Sequence, residues 1–150
     1  MTTKQPYICG ALTELAPEIQ EGVKRLYTQL ADICMEEIGI RAFVPHEHFD
    51  PILHADYTPQ DVNAFERSQV CERTSCLVVV AIEPTWGGGI EVEMAHRSGV
   101  PVIVLKPEHK KLSRLLLGNP AIHQVVEYSS FQDALSCFRE AVRRLGDIGE

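Results

Sequence analysis

Residues 77 to 105 constrain this chain more than any other stretch. Leu77 to Ile82 is an unbroken apolar run, Pro84-Thr85-Trp86-Gly87-Gly88-Gly89 is turn-forming, Ile90 to Gly99 is compatible with helix, and Val100 to Leu105 is apolar again. A valine-rich run without alternating polar positions is the pattern of a strand covered on both faces, as in a parallel sheet. The intervening helical segment has the length of a crossover between parallel strands. Ligands of such sheets bind beyond the carboxyl ends of the strands, which puts a site in the loop from Glu83 to Gly89. Consecutive glycines let a ligand approach the main chain, and amides at a helix start favour an anion. The string matches neither the dinucleotide fingerprint nor the phosphate loop ending in Lys-Ser/Thr, so by itself it is also the pattern of a tight turn. Glu91 falls just inside the helix, where the macrodipole favours an ionised carboxylate by about 0.3–1 kcal/mol, and such a carboxylate can be a nucleophile. Glu93 points roughly 200° away on the same helix, so the two glutamates do not pair locally.

The rest of the chain supplies partners for that unit. Tyr7-Ile8-Cys9 reads as a first strand that turns at Gly10. Pro17 opens a helix whose apolar stripe, Ile19, Val23, Leu26, Leu30 and Ile33, has helical spacing, and Gly39 closes it. Ile40 to Val44 reads as a second strand, leaving through Pro45-His46-Glu47-His48-Phe49-Asp50-Pro51. Alternating His46, His48 and Asp50 are potential ligands, but no third histidine sits at ligand spacing on a helix, so no metal is assigned. Thr58-Pro59-Gln60-Asp61 starts a helix running to about Arg73 and carrying Glu66. Leu112 to Leu117 reads as a short helix stopped by Gly118-Asn119-Pro120, Gln124 to Tyr128 as a last strand, and Ser130 onward as a final helix ending at Gly146. The order βαβαβαβαβα predicts one α/β domain spanning 1–150: a Rossmann-like three-layer sandwich around a mainly parallel five-stranded sheet.

Composition narrows the function. A chain of 150 residues with 45% hydrophobic content suits a single core,. The net charge of −7 argues against a nucleic-acid polymer as partner,. No signal-peptide pattern opens the chain and no apolar run approaches roughly 18 residues, which predicts a cytoplasmic protein with no membrane contact. Five cysteines, without a Cys-x-x-Cys pair, read as reduced core residues.

Pro84-Thr85-Trp86-Gly87-Gly88-Gly89-Ile90-Glu91 resembles the Pro-Ser-x-Gly-x-Gly-x-Glu segment of the nucleoside 2-deoxyribosyltransferase superfamily, and most closely its 2'-deoxynucleoside 5'-phosphate N-hydrolase branch. Tyr7-Ile8-Cys9-Gly10-Ala11-Leu12-Thr13 is similar to that branch's Tyr-x-x-Gly-Ser-Ile opening. The resemblance implies that Glu91 is the nucleophile and that Thr85, Gly87 and Gly89, with Trp86 in the same loop, hold a phosphate. It also implies that the loop at Gly10 and Ala11 touches phosphate and sugar, that His48 lines the pocket with His46 beside it, and that Glu66 is the general acid/base. Ser113 matches a serine that reaches the neighbouring subunit's phosphate, with Arg114 as an added cation, so a homodimer or larger homo-oligomer is implied. This chain departs from the pattern at Thr13, where the hydrolases carry arginine, and at Thr74-Ser75-Cys76, where they carry an acid. The implied activity is cleavage of the N-glycosidic bond of a small-molecule nucleoside or nucleotide, by hydrolysis or base transfer, without a cofactor. Two other readings are a nucleotide-binding sensor without turnover and a TIR-like NAD-cleaving domain, which also uses a glutamate.

Overall fold

Burial on both faces makes the central strand what it is. In a computed structural model, which describes residues 3–50 and 53–148 and the side chains of those up to 145, Thr74–Val80 forms β2, with Leu77, Val78 and Val80 no more than 1% exposed. Burying each such side chain contributes about 1.5–3 kcal/mol. β2 is flanked by β1 (Gln5–Gly10) and β3 (Val102–Pro107), and β3 by β4 (Ile122–Tyr128), giving the order β1-β2-β3-β4 with every pairing parallel. The register sets Tyr7, Cys9 and Gly10 beside Leu77, Val79 and Val80.

Alternation sends successive strand residues to opposite layers. Ile8, Val78, Val80, Ile103 and Leu105 pack with α1 (Pro17–Ile38) and α6 (Phe131–Ile148). Tyr7, Cys9, Leu77, Val79, Val102 and Val104 pack with Val70 of α3 (Pro59–Arg73) and Val92, Met94 and Ala95 of α4 (Trp86–Arg97). The three-layer α/β sandwich follows. Two shorter helices, α2 (His46–Phe49) and α5 (Arg114–Leu117), complete the described secondary structure. Among the described residues no helix is long and apolar enough to cross a membrane.

The expected strand at Ile40 to Val44 is reduced to a single bridge, so the sheet has four strands rather than five. Phe43 donates to the Pro6 carbonyl at 2.8 Å and accepts from Ile8 N–H at 2.9 Å, on the outer side of β1. Pro45 has no N–H to continue a ladder, and the chain turns at once into α2, where a loop was expected. Pro51, the end of that stretch, lies outside the described residues. Three smaller differences concern helices. Ile19 is 45% exposed instead of joining the α1 stripe. α6 continues through Gly146 to Ile148. The three glycines lie in the first turn of α4, not in the loop before it.

The bridge still matters. The chain leaves β1 towards Phe43 on one side and returns to β2 on the other, and the reversal opens a crevice at the carboxyl ends of β1 and β2. At this end Gly10 lies against Tyr27, whose hydroxyl donates to the Ala11 carbonyl at 2.6 Å. A Cβ at Gly10 would stand 2.3 Å from the Tyr27 oxygen. Gly10→Ala is expected to displace Tyr27 and lower stability by about 1–3 kcal/mol, read as a lower urea midpoint with an unchanged slope.

Candidate active site

Local chemistry aims α4 at this crevice. Thr85 caps it: its side-chain oxygen accepts from Gly88 N–H at 2.8 Å,. Gly88 is glycine for a steric reason, since a Cβ there would meet Thr85 Oγ1 at 2.7 Å and Cys9 Sγ at 3.5 Å. Its bareness lets the helix start press against the end of β1. Gly87 and Gly89 have no atom within 4 Å of a would-be Cβ, so what they leave is room beside the main chain.

This approach brings Glu91, in the second turn of α4, under the β1 residues Tyr7 and Cys9. Glu91 is 8% exposed. Its Oε1 accepts from the Tyr7 hydroxyl at 3.3 Å, and the Cys9 thiol stands beside the same carboxylate and favours its charged form. Oε2 is buried and has no hydrogen-bond partner among the described residues. Burial pushes the Glu91 carboxyl up to about 7; the charge of Glu66 adds to the rise, and the bonds from Cys9 and Tyr7 oppose it. The expected helix-dipole effect is therefore outweighed: a rise from 4.5 to about 7 corresponds to about 3 kcal/mol,, against about 0.3–1 kcal/mol for a dipole already fading past the first turn. Glu93 diverges as expected and is exposed, accepting from the Asn119 amide at 3.1 Å.

Three cavities meet here. One of about 220 Å³ lies between β1, α2, α3 and α4 and is lined by Gly10, His46, Asp50, Glu66, Thr85, Gly87 and Glu91, among others. A second, of about 540 Å³, continues past Glu66, Gly87 and Glu91 towards Tyr57 and Met94. The third, of about 610 Å³ and mostly apolar, lies across the Thr85–Gly88 wall and takes in Ala11, Gly89, Lys110, Lys111 and Ser113 but not Glu91. Glu66 thus shares both of the first two cavities with Glu91, and burial raises its pKa as well. Packing of α3 on α4 brings these two carboxylates, 25 positions apart in sequence, to one cleft.

Other expected residues stand differently. His48 lies outside these cavities and stacks on Phe43 with ring centroids 4.4 Å apart, while Phe43 stacks on Tyr7 at 5.3 Å. It therefore backs the tyrosine that holds Glu91, through contacts of about 0.5–1.5 kcal/mol each. His46 faces the cleft instead; its buried Nδ1 lacks a partner among the described residues, and burial lowers its pKa. Ser113 caps α5, accepting from Leu115 N–H at 3.2 Å. Trp86 is 94% exposed, and neither it nor Arg114 lines the three cavities. Among the described residues no three His, Cys, Asp or Glu side chains gather as metal ligands. Reading the sequence missed Tyr7 and Cys9 as site residues, although strand alternation puts them on one face. It weighed Asp50 only as a metal ligand, whereas Asp50 is 3% exposed and paired with Lys24 Nζ at 2.8 Å.

No protein-family model matches the sequence, and neither does any curated protein. Solved structures do share its architecture. BlsM, known from a solution structure, superposes with a TM-score of 0.71 at 18% identity, over 99% of this chain and 95% of its own. The CMP N-glycosidase BcmB of Clostridium botulinum gives 0.63 at 18% identity, over 89% and 95%. A conserved protein from Enterococcus faecalis V583 gives 0.61 at 16%, over 93% and 99%. The chain therefore has the Rossmann-like, nucleoside deoxyribosyltransferase-like fold.

Proposed function

We propose that this chain cleaves the N-glycosidic bond of a nucleoside or nucleoside 5'-monophosphate, with Glu91 as nucleophile and Glu66 as general acid/base. One observation carries the reading: a buried glutamate, held on Oε1 by the Tyr7 hydroxyl and with its buried Oε2 bare, shares a cleft with a second, partly buried acid. The activity of BcmB, a CMP N-glycosidase on the same fold, agrees with it.

In the first step a Glu91 oxygen attacks the anomeric carbon. The carbon–nitrogen bond breaks, its electron pair leaves with the base, and Glu66, whose pKa burial raises, supplies the proton,. In the second step the Glu66 carboxylate removes a proton from water, the resulting oxygen attacks the same carbon, and the ester to Glu91 breaks. Two inversions give retention, and each step is easier than the direct displacement. A second base in place of water makes the same cycle a transfer. Tyr7 and Cys9 hold the nucleophile in place, so that attack needs little rearrangement.

Glu91→Gln is expected to reduce base release, followed by chromatography, below about 1% of wild type, whereas Glu93→Gln stays near wild type. Loss of activity in the second variant and not the first would overturn the assignment. The pH profile of kcat/KM is expected to rise through about 7, as Glu91 loses its proton,.

The same group makes a prediction about stability. Its carboxyl titrates near 7 when folded and near 4.5 when unfolded, so the native state binds more protons between those values and stability falls as pH rises through that window. Glu91→Gln removes this penalty. Urea unfolding at pH 8 is expected to show the variant gaining about 2–3 kcal/mol relative to wild type over the difference measured at pH 4.

Assembly into a homodimer or larger oligomer is part of the proposal. Leu115, 89% exposed on α5, and Trp86 are apolar side chains of the kind that mark interfaces,. Light scattering is expected to give at least twice the monomer mass for wild type and a smaller mass for Leu115→Asp.

A further inference from the structure

The charges around Glu91 bear on which substrate the cleft takes. The two cavities that contain Glu91 are lined, among charged side chains, by Glu14, Asp50, Glu66 and Glu91, and among the described residues by no lysine or arginine. Asp50 is matched by Lys24; the other three acids have no basic residue in the lining to offset them. His46 does not supply the missing charge, because burial favours its neutral form. Two further lysines, Lys110 and Lys111, line the third cavity, across the Thr85–Gly88 wall, and Lys110 is paired with Glu83 at 3.1 Å.

Two main-chain donors at this cleft are also engaged. Leu12 N–H, in the loop after β1, donates to the Glu14 carboxylate at 3.1 Å. Gly88 N–H, in the first turn of α4, donates to Thr85 Oγ1. A phosphate dianion entering here would have to displace Glu14 from an amide it already holds, and would then face like charge. A free 5'-hydroxyl meets the opposite situation, because a carboxylate only accepts hydrogen bonds and a hydroxyl can donate one.

Resting on the glycosidase reading above, we infer that the substrate is an unphosphorylated nucleoside, selected against its 5'-monophosphate by the Glu14 carboxylate and by the lack, among the described residues, of basic side chains lining the two cavities that hold Glu91. Glu14 is then a specificity-determining residue. It is exposed on a surface loop, so its replacement leaves the core untouched.

The test compares base release by the full chain from nucleosides and deoxynucleosides with release from their 5'-monophosphates. For each base, kcat/KM is expected to favour the nucleoside by about tenfold or more. Glu14→Gln is expected to narrow that ratio by about threefold or more, through better use of the monophosphate. The ratio is taken within one preparation, so it does not depend on how much of the variant folds. Equal or better turnover of monophosphates by wild type would overturn the inference and leave the glycosidase reading standing; so would an unchanged ratio in Glu14→Gln, as regards Glu14. Release of base from neither class would overturn the glycosidase reading and this inference with it.

Discussion

Everything in the cleft depends on one approach: the first turn of α4 against the last residues of β1. Gly88 permits it, because a Cβ there would collide with the Thr85 cap, with Cys9 already at contact distance beyond. Once the two elements touch, Glu91 has nowhere to go but under Tyr7 and Cys9, out of water. A buried carboxylate with one oxygen unpartnered is costly. The fold tolerates it because the sheet beneath is buried on both faces and supplies the stability that this corner lacks.

That cost has a chemical return. Dehydration raises the proton affinity of Glu91 to the neutral range, while the Tyr7 hydroxyl holds one oxygen and the other stays bare. A carboxylate that titrates near neutrality has more intrinsic basicity than a surface glutamate and is still ionised in a large fraction of molecules, which suits the proposed role of Glu91. The cost and the proposed reactivity have the same source, as is common where a site is built into an otherwise consistent structure.

The second acid and the histidine arrive by a different route. Phe43 pairs with β1 for only one bridge, and Pro45 then turns the chain into α2, which places His46 at the mouth of the cleft and His48 on the aromatic stack Tyr7–Phe43–His48. α3 follows, capped by Thr58 and Asp61 through two reciprocal bonds of 3.0 and 3.1 Å, and its packing on α4 fixes where Glu66 stands. A full strand at Ile40 to Val44 would carry the chain further before it turned, and α2 would not close this side of the cleft.

The sequence by itself determined the α/β class, the order of most elements and the end of the sheet where the site forms, because these follow from local rules: apolar runs, helical spacing, proline at helix starts and glycine at ends. It also singled out Glu91, by its place at a helix start and by resemblance, and Glu66 by resemblance alone. Only the tertiary structure decided the protonation of Glu91, since burial is the sum of contacts from β1, α3 and α4. The same is true of which histidine faces the cleft: His46 and His48 are two residues apart, and a single short turn exchanges their directions. The edge strand failed for a reason that was written locally, in Pro45, but whose effect depended on a partner strand. Tyr7 and Cys9 stood in plain view as strand residues, and they became part of a site only when a helix 80 positions further along the chain was laid against them.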